Sequence, residues 1–165
     1  MKNLRDLLLP LFFAVAAVPA FAQGTNLAFG AIQQDTDLPV EVTSDNLAVD
    51  QETGTAVFTG NVVIGQGEMR LSAPRVLVVY DEGQSAIERM EATGGVTLVS
   101  GPDAAESDRA DYSIKDGVIV MTGNVLLDQG PNALSADRMT VQLDDGTAQM
   151  SGRVKTIIQP SGGEN

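Results

Sequence analysis

The chain of 165 residues contains no cysteine, no histidine and no tryptophan, and its aromatic residues are limited to five Phe and two Tyr. Histidine is the side chain that most often acts as a general base near neutral pH, and with cysteine it supplies most zinc and copper ligands. The lack of cysteine also excludes a thiol nucleophile and a disulfide framework. We therefore predict that the protein is not an enzyme and that it carries no cofactor and no resident metal.

Positive charge is also scarce, because 10 basic residues stand against 22 acidic ones and the net charge is −12. Such a chain repels nucleic acid, so we expect no nucleic-acid partner. The acidic residues cluster beside glycine at 50–54, 81–83, 115–117 and 144–146, and Asp–Gly pairs are typical of hairpin turns. No cluster has the alternating carboxylates of a calcium loop. These clusters are therefore predicted to be turns and solvated surface.

The first 22 residues have the pattern of a secretory signal peptide. Lys2 and Arg5 precede the apolar run 7–18, and the small residues Ala20 and Ala22 mark a cleavage site. A run of that length is too short to span a bilayer comfortably, so we predict cleavage after Ala22 and export to the periplasm. Removing the two basic and one acidic residues of this segment leaves 8 basic and 21 acidic residues, a net charge of −13. The predicted organisation is signal peptide 1–22, flexible segment 23–37, β-domain 38–159 and flexible tail 160–165.

One phrase occurs four times along the chain. Segments 58–64 and 121–127 read FTGNVVI and MTGNVLL, and weaker copies occupy 92–98 and 150–156. A second marker, a serine-containing tetrapeptide, alternates with the phrase and ends at Asn46, Arg75, Arg109 and Arg138. The two markers recur with a period of about 29 residues, except for five extra residues near 81–87. Such a period is typical of stacked repeats.

Turns rich in Gly, Asp and Pro divide each repeat into two segments of about ten residues, which is the spacing of strands and hairpins. Counting every second residue gives each segment one apolar face, since 31 of the 36 positions assigned to that face are apolar. The predicted strands are 40–50, 55–64, 69–80, 86–99, 105–114, 118–127, 132–143 and 147–158.

Each predicted strand carries a signal for a bend near its middle. Gly60 lies on the apolar face in mid-strand, where glycine permits a sharp bend. At the other marker the alternation slips by one residue, so that Ala73 and Val76 share the apolar face, as in a β-bulge. Bent strands of this kind predict an all-β fold: an antiparallel jellyroll of two facing sheets with about sixteen half-strands. Composition alone leaves open whether the apolar lining is a sealed core or a groove with room for an apolar ligand.

The opening stretch DTDLPVEVTSDNLAVD, the FTGNV phrase, the later TGN copy and the ADR corner together resemble the OstA-like family of periplasmic lipopolysaccharide-transport proteins. The family includes LptA, LptC and the N-terminal domain of LptD, and the resemblance covers about residues 35–158. It implies a two-sheet jellyroll that carries lipopolysaccharide from the inner to the outer membrane, with the acyl chains of lipid A in the groove. It also implies head-to-tail stacking of copies between LptC-like and LptD-like jellyrolls.

The family motif and the alternation count together predict ten lipid-facing residues. Val40 and Val42 match the opening motif at the N-terminal mouth of the groove. The other eight follow from the count and are Val49, Phe58, Val62, Val78, Tyr112, Ile119, Met121 and Val141.

Segments 40–50 and 147–158 are expected to be open edges of the sheet. Unpaired edge groups recruit another chain, and because the two edges differ in sequence, a head-to-tail homo-oligomer is expected. Three alternatives remain: a ligand-free structural or adhesive exported protein, an LptC-type component, and an enzyme acting on envelope lipids or glycans.

Overall fold

The structure, a computed structural model, describes residues 25–28, 38–83 and 85–157. Within those ranges the chain forms only strands, turns, bends and irregular segments, so no helix there is long and apolar enough to cross a membrane. The all-β antiparallel fold class is therefore confirmed. The predicted signal peptide 1–22 and the predicted tail 160–165 lie outside the described residues.

The described residues contain eleven strands, which make one continuous antiparallel hydrogen-bonded sheet. The strands are β1 (Thr25–Ala28), β2 (Glu41–Thr43), β3 (Asn46–Asp50), β4 (Thr55–Gln66), β5 (Met69–Tyr80), β6 (Ile87–Ser100), β7 (Asp103–Ser113), β8 (Val118–Gln129), β9 (Asn132–Gln142), β10 (Thr147–Ser151) and β11 (Lys155–Ile157). Along the sheet the order is β1-β10-β9-β8-β7-β6-β5-β4-β2, while β3 also pairs with β4 and β11 also pairs with β9.

The first and last predicted strands are each two strands in the structure. β2 pairs with the second half of β4 and β3 with its first half. At the other end of the sheet, β11 pairs with the first half of β9 and β10 with its second half. The pairs β4–β5, β5–β6, β6–β7, β7–β8 and β8–β9 all carry a register shift near mid-strand. The shifts divide the sheet into two parts. We call them the β3 half, which runs from β3 to β10, and the β2 half, which runs from β2 to β11.

The repeated phrase is a backbone bend, as predicted. Its central two residues have positive φ, with values of 79° and 46° at Gly60 and Asn61 and of 81° and 48° at Gly123 and Asn124. Residues with side chains rarely adopt this region, and asparagine tolerates it better than most. The Gly–Asn pair of the phrase therefore suits the bend, although Arg153 takes the position of the asparagine, with φ of 44°, at the bend after β10.

An aspartate of the second marker fills each of three bends. The Asp45 backbone N–H donates to the Gly60 carbonyl at 2.9 Å, and Asn61 Nδ2 donates to Asp45 Oδ2 at 2.9 Å. A Cβ at Gly60 would stand 2.5 Å from Asp45 Oδ2, so the position excludes a side chain. Asp108 and Asp137 make the corresponding contacts at the bends of β8 and after β10. The two repeated markers are thus the two sides of one corner, joined across neighbouring strands.

The N-terminal segment differs from the sequence expectation. The pattern predicts that 23–37 is flexible, yet Thr25–Ala28 within it forms β1 and pairs with β10 over the register Thr25↔Met150 to Ala28↔Thr147. The outer edge of β10 is therefore occupied by the chain's own β1. At this end of the described residues, β1 ends the β3 half and β11 ends the β2 half, and neither strand has an outer neighbour.

Candidate functional site

Inward-facing side chains of neighbouring strands align in rows that run across the whole sheet, because antiparallel partners point to the same face. The first row of the β3 half is Leu47, Phe58, Val76, Ala92, Ala110, Met121, Met139 and Met150. The second row of the β3 half is Val49, Ala56, Val78, Met90, Tyr112, Ile119, Val141 and Ala148. The row of the β2 half is Val42, Ile64, Leu71, Leu98, Ala105, Leu127, Leu134 and Thr156.

The structure brings nine of the ten predicted lipid-facing residues to this interior. Six are at most 1% exposed and belong to one hydrophobic core: Val62, Val78, Tyr112, Ile119, Met121 and Val141. Val40, Val42 and Phe58 are partly buried and pack against that core. Val49 differs, since it lies on the second row but is 62% exposed at the row's end. Contact of these ten residues with lipid remains a prediction.

Several interior residues are absent from the predicted set although the alternation count assigns them to the same face. Ile64, Leu71, Leu98 and Leu127 are each at most 2% exposed and lie in the β2 half. The signal that identifies them is the same period-two count, applied to the strand halves beyond the bends. The predicted set is therefore weighted toward the β3 half.

The interior is closed in this conformation, because the core side chains pack against one another. A cleft of about 440 Å³ lies instead at the bends of β4, β5 and β6, and of the ten predicted residues only Val62 lines it. The corner there departs from the others, since Pro74 replaces the aspartate and Gly95 replaces the asparagine. A Cβ at Gly95 would meet nothing within 4 Å, so the missing side chains leave this space open.

One polar contact crosses the apolar interior. The Tyr112 hydroxyl donates to Gln66 Oε1 at 2.5 Å, and both residues are 1% exposed. Gln66 ends β4 and Tyr112 lies in β7, with β5 and β6 between them in the sheet. Three strand spacings of about 4.8 Å would separate them on a flat sheet. The hydrogen bond therefore brings the end of β4 in the β2 half against β7 in the β3 half.

The Tyr112 phenol is a neutral donor at physiological pH. Burial raises the pKa of Tyr112 to about 12, and the negative charge of Asp144 adds to the shift. Gln66 Nε2 in turn donates to the Leu38 carbonyl at 3.0 Å. The contact thus continues from β7 through the end of β4 to the segment that leads into β2.

The outer face of the β3 half carries a charged cluster. Arg109 Nη2 lies 2.8 Å from Asp111 Oδ1 and 2.9 Å from Glu91 Oε2, and hydrogen bonding to Asp111 raises the pKa of the guanidinium. In the described part of the chain, no group of three or more acidic, His or Cys side chains is placed to hold a metal ion. The cluster is a partly exposed ion-pair network on the surface of the sheet, and such networks contribute little to stability.

The apolar rows are uncovered at the β3 end. Leu47 and Val49 are 56% and 62% exposed, whereas Met150 and Ala148, at the other end of the same rows, are buried beside β1. In the β2 half, Val154 is exposed near the far end. The interior therefore presents an apolar face to solvent at β3, which is one of the edge strands of the sheet.

Comparison with known proteins places this fold among transport components of the bacterial envelope. Residues 41–147 match the family "LptA/(LptD N-terminal domain) LPS transport protein". An uncharacterised protein of Rhizobium meliloti (strain 1021) is 31% identical over 115 residues, which cover 66% of this chain and 62% of that protein. The lipopolysaccharide export system protein LptA of Escherichia coli (strain K12) is 30% identical over 89 residues, covering 54% of this chain and 43% of LptA. The alignments thus span 62% and 43% of the lengths of these relatives.

A solved structure shows the same fold. LptH of Pseudomonas aeruginosa, described as the LptA homologous periplasmic component of the conserved lipopolysaccharide transport device, superposes with a TM-score of 0.68 at 19% identity. The superposition covers 77% of this chain and 99% of that chain. At 19% sequence identity, this structural similarity shows that the two chains share a fold.

Proposed function

Because the chain belongs to the LptA/(LptD N-terminal domain) family of lipopolysaccharide transport proteins, we propose that it is a periplasmic carrier of lipopolysaccharide. It binds the acyl chains of lipid A between the two facing halves, which act as the two sheets of a jellyroll, and passes the lipid from the inner toward the outer membrane. The predicted signal peptide 1–22 is proposed to direct export to the periplasm and to be cleaved after Ala22. Transport is passive in this protein, and a partner supplies the energy.

The observation that carries this proposal is the set of apolar rows, which run unbroken from β3 to β10 and emerge into solvent at Leu47 and Val49. An ordinary core is closed at its ends by polar or capping elements, whereas these rows leave a bulky apolar face at one end. A lipid passed from a neighbouring jellyroll would meet apolar side chains on entering. The ten predicted residues, Val40, Val42, Val49, Phe58, Val62, Val78, Tyr112, Ile119, Met121 and Val141, are proposed as its contacts.

Burial of acyl chains supplies enough affinity without an ion pair. Each methylene removed from water is worth about 0.8 kcal/mol, so ten methylenes of one chain provide roughly 8 kcal/mol before the costs of association. The methionines of the first row, Met121, Met139 and Met150, have flexible thioether side chains that adapt to irregular apolar guests. An acidic protein with this interior is therefore able to hold an anionic lipid through its acyl chains.

Partners are proposed to dock through edge strands. β3 has an exposed edge and exposed apolar side chains, and strand addition there would extend the rows into a second jellyroll. LptC-like and LptD-like proteins and further copies of this chain are the proposed partners, stacked head to tail. At the opposite end an incoming strand would pair with β11 or displace β1 from β10.

The closed packing of the interior favours one other candidate, a ligand-free structural or adhesive exported repeat protein. Native mass spectrometry of the protein purified from the periplasm of a Gram-negative host distinguishes the two. The carrier is expected to show added masses of lipid A-containing species. A protein that is consistently free of lipid would support the structural candidate.

A matched pair of variants links any bound lipid to the interior. Val42 faces inward and is partly buried, while Val63, one residue beyond Val62, points to the opposite face of its strand. Val42→Asp places an unpaired carboxylate among acyl chains and is expected to abolish the added mass. Val63→Asp is expected to retain it, and both variants should keep the circular dichroism spectrum of a β protein.

A further inference from the structure

The buried polar side chains of the described residues are few, and most lie along one margin. They are Gln66, Ser100, Asp103 and Ser107. Gln66 and Ser100 end β4 and β6, and Asp103 begins β7, so three of the four stand at the margin of the β2 half that is farthest from the bends. Gln129, at the end of β8, belongs to the same margin and donates to Asp103 Oδ2 at 3.0 Å. Apart from Met69 at the start of β5, this margin is polar on its inner side, although the rows behind it are apolar.

The Tyr112–Gln66 hydrogen bond joins this polar margin to the other half. Tyr112 is the penultimate residue of β7, so it lies near the margin of the β3 half, again far from the bends. The two halves are connected covalently at the bends and by this hydrogen bond near their opposite margins. Separation of the margins would therefore break the contact, while the bends would stay in place.

We propose that Tyr112 and Gln66 form a clasp that holds the two halves closed and that its opening admits an acyl chain between them. This inference rests on the proposed function, because it concerns entry of lipid into the same interior. The chemistry suits a reversible contact: the phenol and the amide exchange one another for water when the margins part, so the net cost of breaking this hydrogen bond is a small part of its gross energy. Separation of the apolar side chains that pack between the halves adds its own cost. Apolar side chains at that margin would have no such replacement.

The clasp also reaches the docking edge. Gln66 Nε2 donates to the Leu38 carbonyl, and Leu38 stands two residues before the partly buried Val40, which immediately precedes β2. A partner strand that displaces the segment before β2 removes one of the hydrogen bonds that orient the Gln66 amide. Opening of the clasp is thereby favoured at the end of the sheet where lipid would be handed over.

The kinetics of lipid entry test the clasp. Tyr112→Phe keeps the ring and removes the hydroxyl, so it is expected to raise the association rate of a fluorescent single-chain fatty acid by roughly two- to tenfold, the effect of one net hydrogen bond. Tyr80→Phe is the matched control, since Tyr80 is the other tyrosine of the chain and packs at the edge of the core. Its rate is expected to equal that of the wild type.

A locked variant provides a second measurement that does not depend on Tyr112→Phe. The chain has no cysteine, so Gln66→Cys combined with Tyr112→Cys offers two unique thiols. Joining them with a short bis-maleimide is expected to stop the uptake of fatty acid that the same double variant shows before joining.

The outcomes separate the clasp from the carrier function. Wild-type rates in Tyr112→Phe together with normal uptake by the locked variant would overturn the clasp and leave the carrier standing. Absence of fatty-acid binding in the wild type and in all variants would overturn both. A faster Tyr112→Phe and a blocked locked variant would support both.

Discussion

At the scale of single residues, the repeated phrase and the second marker have one joint explanation. Glycine allows the bend, and the aspartate of the neighbouring strand fills the space that a side chain would need. The sequence predicts the bend because a glycine interrupts an apolar face. It does not predict the aspartate contact, since Asp45 and Asn61 are 16 positions apart and meet only after the strands pair.

Alanine substitutions at two bends separate the contact from the backbone strain. Gly60→Ala and Gly95→Ala both place a side chain at positive φ, 79° and 96°, which costs about 1–3 kcal/mol. Only at Gly60 does the new Cβ meet Asp45, with distances of 2.5 Å to Oδ2 and 2.9 Å to its Cβ, so an extra loss of roughly 1–3 kcal/mol is expected from overpacking. Urea unfolding of the two variants measures the difference. Equal losses of unfolding free energy would show that the aspartate yields freely.

At the scale of elements, hairpin turns and the period-two pattern suffice to predict most strands and their inner faces. The splitting of the first and last strands was not predicted, because it depends on which half of a neighbour each segment pairs with. β1 has no signal in the sequence either, as TNLA is too short for a periodic pattern and lies outside the repeats. Its position on β10 is a product of the tertiary structure.

Removal of β1 tests whether it blocks self-assembly. A mature chain that begins at residue 29 exposes the edge of the five-residue β10 in place of the four-residue β1, so we expect its average mass in light scattering to rise more steeply with concentration than that of the full mature chain. Adding Leu47→Lys and Val49→Lys puts two charges on the β3 edge and is expected to cancel that rise. A shortened chain that associates no more than the full mature chain would show that β1 does not limit stacking.

At the scale of the whole molecule, local sequence patterns predict the fold and the inner face of the sheet. They do not predict whether the interior is closed or open. The alternation count places Met121 and Val141 inward whether the halves touch or stand apart. Whether they touch depends on contacts such as Tyr112–Gln66, which join residues 46 positions apart in the sequence. An apolar row has the same pattern in a core and in a lipid-binding groove, so the alternation count does not distinguish the two. The sequence indicates the proposed function through its family motifs instead.

Site-specific photo-crosslinking in cells tests the carrier function most directly. Phe58 lies on the first interior row and Val57 beside it points to the opposite face, so a photoreactive phenylalanine analogue at each position samples the two faces at one point in the sheet. After irradiation of lipopolysaccharide-producing cells, we expect an adduct recognised as lipopolysaccharide from position 58 and none from position 57. Equal adducts from both positions, or none from position 58 in a folded protein, would contradict lipid binding between the two halves.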